Sequence, residues 1–272
     1  MPLDDWAGRI GVTCFAASYG AALALDAARF AWPRLGGYPA LALAGAGFAA
    51  EGVYLAHRGL SQGRLPIGSP FDALLAVSFA LAGLSLYFAL RDRREQVGFF
   101  LLPVALALVL AAAWKFPRAE HDPALGKTIL GVAHGVLLVL GAALATAAMA
   151  SAAAYLAKSR QVRTGRFLDR LRLPSLERLD RWTSAAALWG WPLFTVGVLL
   201  GFALRGLAWQ DPKVFTTVVA WLAFTALAQY RWRPEHRGRR FAWWALVAGA
   251  LVLFSVLADP WLGTSHLAGP AP

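Results

Sequence analysis

Cysteine is almost missing from this chain: Cys14 is the single thiol in 272 residues. That scarcity excludes internal disulfides, a CxxC redox pair, a thiolate metal cluster and a C-x-x-C-H motif, so if iron is handled here, imidazole must ligate it. Charge is scarce too, at 15% of residues, and it is bunched rather than spread. No GxxxxGK[ST], GxSxG or HExxH occurs, which leaves the usual phosphate, acyl-transfer and zinc-protease chemistries without support. The start lacks a basic segment followed by a short apolar core and a small-residue cleavage site, so the first apolar stretch is expected to be retained.

What the chain has in abundance is hydrocarbon. Apolar residues make up 58% of it and mean hydropathy is +0.53, the composition of an integral membrane protein. A bilayer core of roughly 30 Å needs about 20 apolar residues as helix. Eight stretches meet that template, near 10–31, 37–60, 70–91, 97–114, 127–157, 183–207, 213–232 and 239–258. The first two carry an internal carboxylate, Asp26 and Glu51, and fit it least well. The alternation over about ten residues that marks a membrane barrel is absent, so the expected fold is all-α. It is a polytopic membrane bundle of about eight transmembrane helices, forming a single domain over residues 1–272.

Orientation follows from Lys and Arg, which short cytoplasmic loops retain. Arg29, Arg34, Arg91, Arg93, Arg94, the run from Lys158 to Arg181, and the group from Arg231 to Arg240 fall on one side. The opposite side holds the smaller set: Arg9, Arg58, Arg64, Lys115, Arg118, Lys127, Arg205 and Lys213. Both termini are therefore expected outside. The net charge of +11 is then a topology signal and not a nucleic-acid signal, because no basic helix or base-stacking aromatic pattern accompanies it. The basic and apolar run from Arg166 to Arg181 reads as a short interfacial helix starting near Ser175 and meeting anionic headgroups, or else as a docking site for a soluble partner.

The same topology sorts the histidines. His57, His121, His134 and His266 come out near the outer face, and His236 is cytoplasmic. His134 lies inside the fifth stretch, about 10 Å below Lys127 at helical rise. Gly131 and Gly135 flank it as a small-xxx-small pair, which admits a neighbouring helix or a flat ligand. Two readings stand: His134 and His266 clamp one metal centre from opposite faces, or His134 hydrogen-bonds a neighbouring helix and His266 is a tail residue. Trp likewise divides between an interfacial belt and, for Trp114, Trp209 and Trp261, the wall of a flat macrocycle. Arg58, Arg64, Arg118, Arg205 and Lys213 are then candidates to pair with its propionates.

The segment from Arg58 through Gly63, Pro66, Ser69, Phe71 and Asp72 to Leu74 resembles the loop and helix start of the CcsA-type cytochrome c assembly proteins. Asp72 stands where that family has glutamate, and Phe71 where it has tyrosine. Pro123-Ala-Leu125 followed by His134 is similar to the family's entry into a helix bearing an external haem ligand. Asp211-Pro-Lys213, Trp221 and Arg231 resemble the frame behind its tryptophan-rich signature, and Gly263-Thr-Ser-His266 its closing G-x-x-H. The signature itself is thinned to Trp209 and the DPK, and Gln229 stands where the family has a histidine within the membrane. Those departures, with the run Leu173–Leu179, look like the shorter HemX-like or YpjD-like relatives.

The resemblance implies a haem-handling protein of the bacterial-type cytoplasmic (inner) membrane. His134 and His266 would be axial ligands of a non-covalent b-type haem, with Trp209, Asp211, Arg58 and Arg64 as further binding residues. Haem would be held at the outer face for delivery to apocytochrome c, alone or with another assembly subunit. The chain would then be an assembly factor rather than a conventional enzyme. The alternatives are a regulatory or scaffolding membrane subunit without haem and, last, a transporter using Glu51 and Asp26.

Overall fold

The computed structural model describes residues 11–32, 37–91, 98–115, 128–164, 173–205, 211–231 and 238–258. Among them lie eight helices and no strand. They are α1 (Val12–Ala31), α2 (Tyr38–Gln62), α3 (Pro70–Arg91), α4 (Gly98–Lys115), α5 (Ile129–Thr164), α6 (Leu176–Arg205), α7 (Pro212–Tyr230) and α8 (Arg239–Leu257). Each coincides with one of the apolar stretches, because uninterrupted aliphatic sequence in hydrocarbon must satisfy its own backbone and a helix does so locally.

Pairwise packing closes the helices into two rings of four. In the first, α1 packs on α2 and α4, and α3 joins α2 to α4. In the second, α5 packs on α6 and α8, and α7 joins α6 to α8. The rings meet where α3 and α4 touch α5. Large side chains fill the first interior, with Phe15, Tyr19, Phe71, Leu74, Leu81, Leu101 and Leu108 all buried. The second buries Phe194, Phe224, Phe241 and Leu227 but seams its α5 face with alanine and glycine. Ala142, Ala145, Ala148 and Ala152 of α5 are buried, and a Cβ on Gly141 would lie 2.8 Å from the backbone of Phe194 on α6. Small residues of this kind let helices associate in lipid through close dispersion contact.

Five of the helices are long and apolar enough to cross a membrane: Tyr38–Gln62, Pro70–Arg91, Ile129–Arg163, Leu176–Leu204 and Arg239–Leu257. Leu110, Trp189, Leu199, Leu222, Trp243 and Phe254 face outward from the bundle, the surface a lipid-embedded protein presents. The chain is a multi-pass membrane protein. In α1 the two charges nearest the end neutralise each other, Arg29 donating to Asp26 at 2.8 Å.

Two boundaries differ from expectation. Helix α5 continues to Thr164 rather than stopping near 157. The short interfacial helix expected from Ser175 is instead the opening of α6, which runs on unbroken to Arg205. Its start is where the residues put it: the Ser175 hydroxyl accepts from the Arg178 backbone N–H at 3.3 Å. Nothing between Ser175 and Thr183 breaks a helix, and Leu179 is buried in a cluster with Ala154 of α5 and Leu173. That apolar face is therefore spent on protein instead of headgroups.

Candidate functional site

Chain direction brings the end of α2, the start of α3, the start of α5, the end of α6, the start of α7 and the end of α8 to one end of the bundle, and side-chain contacts tie them together there. Helix α2 stops at Gly63, whose φ of 61° is left-handed. The Gly63 N–H donates to Leu60 O and the Arg64 N–H to Gly59 O, a Schellman closure that uses glycine's freedom at positive φ. The chain turns through Pro66 and Ser69 into α3. There Ser69 caps the helix, its hydroxyl accepting from the Asp72 N–H at 3.1 Å and donating to Asp72 Oδ2 at 2.8 Å.

The other carboxylate oxygen of Asp72 accepts from Arg58 Nε, and the Arg58 guanidinium lies 5.2 Å from the Phe71 ring centre. Asp72 is 1% exposed. A buried carboxylate with a cation and a hydroxyl both donating to it has the partners it needs, so the pair clamps the end of α2 to the start of α3. Arg64 is buried in the same loop, its guanidinium resting over Gly68.

The loop reaches the second ring through Ile67. A Cβ on Gly135 of α5 would lie 2.7 Å from Ile67 Cδ1. One residue earlier, His134 turns toward α6, where its Nδ1 is 2.7 Å from the Gly197 carbonyl oxygen. A carbonyl only accepts, so Nδ1 carries the proton and the imidazole lone pair is on Nε2. The ring fills the space above Gly201, where a Cβ would come within 2.6 Å of His134 Cε1. Gly197 and Gly201 thus serve His134 together, one with its carbonyl and one with its missing side chain. Their four-residue spacing in α6 was the sequence signal for this cradle, and reading outward from the histidine alone passes it over.

At the neighbouring helix start, Asp211 caps α7, its Oδ1 accepting from the Lys213 N–H at 2.8 Å. Lys213 Nζ donates to the Ser255 carbonyl at 2.6 Å, fixing the start of α7 to the end of α8. Other members of the DPK frame are architectural. Trp221 donates to Thr195 of α6 at 3.0 Å, and Arg231 pairs with Asp180 of α6 at 3.1 Å while lying 5.5 Å from the Phe241 ring centre of α8. Trp191 returns a second indole bond, to Thr225 of α7 at 2.9 Å.

Of the expected site residues, Arg58, Arg64 and His134 lie on elements linked by the Ile67–Gly135 contact, and Asp211 sits at the start of α7 on the same end. His266 and Trp209 lie outside the described residues, as do His121, Arg118, Lys127 and Trp261. His57 is half-buried on α2 and Trp114 is exposed. Among the described residues no group of three or more His, Cys, Asp or Glu side chains gathers to hold a metal ion. Any metal here would take few ligands from the helices.

A profile of the cytochrome c assembly protein family matches residues 68–266. The cytochrome c biogenesis protein CcsA of Synechococcus elongatus is 27% identical, over 86% of this chain and 88% of its own length. Its counterpart from Thermosynechococcus vestitus is 25% identical over 85% and 86%, and that of Guillardia theta 23% identical over 78% of each. No solved structure matches.

Proposed function

The chain belongs to the cytochrome c assembly protein family, of the CcsA type, and on that premise we propose that it binds haem non-covalently at the outer end of the bundle. His134 and His266 are the axial ligands, and the haem is held there for delivery to apocytochrome c. Arg58 at the end of α2, which also holds Asp72, and Arg64 on the α2–α3 loop meet its carboxylates, and Trp209 with Asp211 borders it from just before α7. All eight helices cross the cytoplasmic membrane with both termini outside, so that the arginine-rich loops stay in the cytoplasm.

The observation that carries this reading is the 2.7 Å contact between His134 Nδ1 and the Gly197 carbonyl oxygen. Ligating histidines donate their second ring N–H to a carbonyl or carboxylate, which fixes the tautomer and aims the other nitrogen. The Nδ1–Gly197 bond supplies that arrangement within the helices, so the imidazole fits an iron ligand. The tail supports it as well. His266 stands eight positions beyond Ala258, the last described residue, a reach of at most about 28 Å when extended, and Lys213 fastens the end of α8. Held by His134 and His266, haem would supply an iron porphyrin to be presented rather than one that activates oxygen. The protein's own part is to aim two imidazoles, balance the carboxylates and leave the outer face accessible to an acceptor or a partner subunit.

The test is an absorption spectrum of protein purified from haem-replete cells, oxidised and reduced. A low-spin spectrum is expected, lost in His134→Ala and in His266→Ala and altered in Gly201→Ala, which pushes the imidazole aside without removing it. A low-spin spectrum unchanged in both histidine variants would overturn the assignment. Colourless wild-type protein would favour the regulatory or scaffolding role instead.

A further inference from the structure

Glu51 lies outside the set of residues proposed to hold haem, and its surroundings require an account of their own. It lies within α2, eleven residues before Gln62, or about 16 Å from that end at helical rise. Its side chain has no exposed surface. Oε2 accepts from the Tyr19 hydroxyl of α1 at 2.6 Å. The Tyr19 ring can stand there because residue 47 is glycine: a Cβ would lie 2.7 Å from Tyr19 Cε1. Oε1 is buried and has no hydrogen-bond partner among the described residues.

Among the described residues, the elements packed around Glu51 bring it no cation. From α1 it meets Tyr19, while Asp26 farther along that helix is paired with Arg29. From α3 it meets Ser78, whose hydroxyl donates to the Ala105 carbonyl of α4 at 3.1 Å. Asp72 of α3 is taken by Arg58, two turns farther along α2. Helix α4 carries no titratable side chain before Lys115.

An unpaired carboxylate so placed is far costlier than a neutral acid, and intramembrane carboxyls are retained for what they do. If stability alone were at stake, a packed apolar residue would serve at least as well. A buried acid with no cation beside it, and with the Tyr19 and Ser78 hydroxyls as its neighbours, has a proton it can give up and hydroxyls placed to hold the resulting anion.

We propose that Glu51 is a proton-binding site inside the first helix ring. The O–H bond at Oε1 breaks and re-forms, Tyr19 continues to donate to Oε2 in both states, and the proton passes to and from the end of α2 along the face bearing Arg58 and Gln62. No electrons move. The Gln62 side-chain oxygen, also buried without a hydrogen-bond partner among the described residues, is an acceptor on that face near the helix end.

The experiment is infrared difference spectroscopy of the full chain in lipid, in H2O and D2O, as pH is raised. Wild type is expected to show the C=O stretch of a protonated carboxylic acid that shifts in D2O and fades reversibly at higher pH. Glu51→Gln should lack it. Tyr19→Phe should keep it, at a shifted frequency and with its fading displaced, which separates the proposal from a folding defect in the glutamine variant. A spectrum identical in wild type and Glu51→Gln, or a band that neither exchanges nor fades before unfolding, would overturn the proposal. None of these readings involves haem, so this result and that of the visible spectra stand apart.

Discussion

The two rings solve the same problem, packing helices in lipid, with opposite chemistry. The first encloses ionisable groups: Glu51 against Tyr19, and Asp72 clamped by Arg58 and Ser69. The second joins its helices midway along with neutral groups, pairing Trp191 with Thr225 and Trp221 with Thr195, and keeps its charged links, Arg231 to Asp180 and Lys213 to the Ser255 carbonyl, at helix ends. Its Thr146 and Thr183 hydroxyls bond back to their own helices, at 2.7 Å and 2.8 Å. Both rings bury large side chains, but among the described residues only in the second does a glycine, Gly141, bring one helix against the backbone of the next. The contrast teaches that one bundle can divide its labour. The tightly seamed half offers a wall on which a histidine can be aimed, and the proposed protonation change in the other half leaves that wall untouched.

Breaking the clamp in the first ring should have the largest effect. Asp72→Ala leaves the Arg58 cation facing a vacated, largely buried position, and a loss of about 3 kcal/mol or more is expected in reversible unfolding in detergent. Adding Arg58→Leu should restore part of that loss, since the stranded charge goes with it. Filling the seam of the second ring comes next. Gly141→Val forces a side chain against the backbone of Phe194, and overpacking of this kind costs about 1–3 kcal/mol by the same measurement. Smallest is the neutral bond. Thr225→Val keeps the side chain's shape and removes the hydroxyl that accepts from Trp191, for a change of about 0.6 kcal/mol in unfolding. An equal response to all three would erase the distinction between the rings.

Much of this was legible in the residues, and the reason is the solvent. Lipid punishes unpaired backbone so severely that eight apolar stretches became eight helices with ends close to the expected positions. Ser175 announced the start of α6, because a cap is a local event. What the opening turns pack against was not local, so the expected surface helix proved to be the head of a longer one. Arg58 and Asp72 were both singled out within one resembling segment. Their pairing, fourteen positions apart across a turn, needed coordinates. Glu51 stood out as a charge in a span, while its partner Tyr19 looked like any aromatic in α1. His134 drew attention for its chemistry, yet Gly197 and Gly201, which orient it, are visible only once α5 and α6 are laid side by side. Pattern along the chain shows which groups are costly. Which neighbour meets that cost is a matter of three dimensions.

Ile67 has a mechanical consequence. Its side chain abuts the surface of Gly135 with no methyl group between them, one residue from the imidazole, while its own loop is riveted to α2 and α3 by Arg58 and Asp72. Any rocking of the first four helices against the second four therefore bears on α5 beside the histidine, as a finger on a lever.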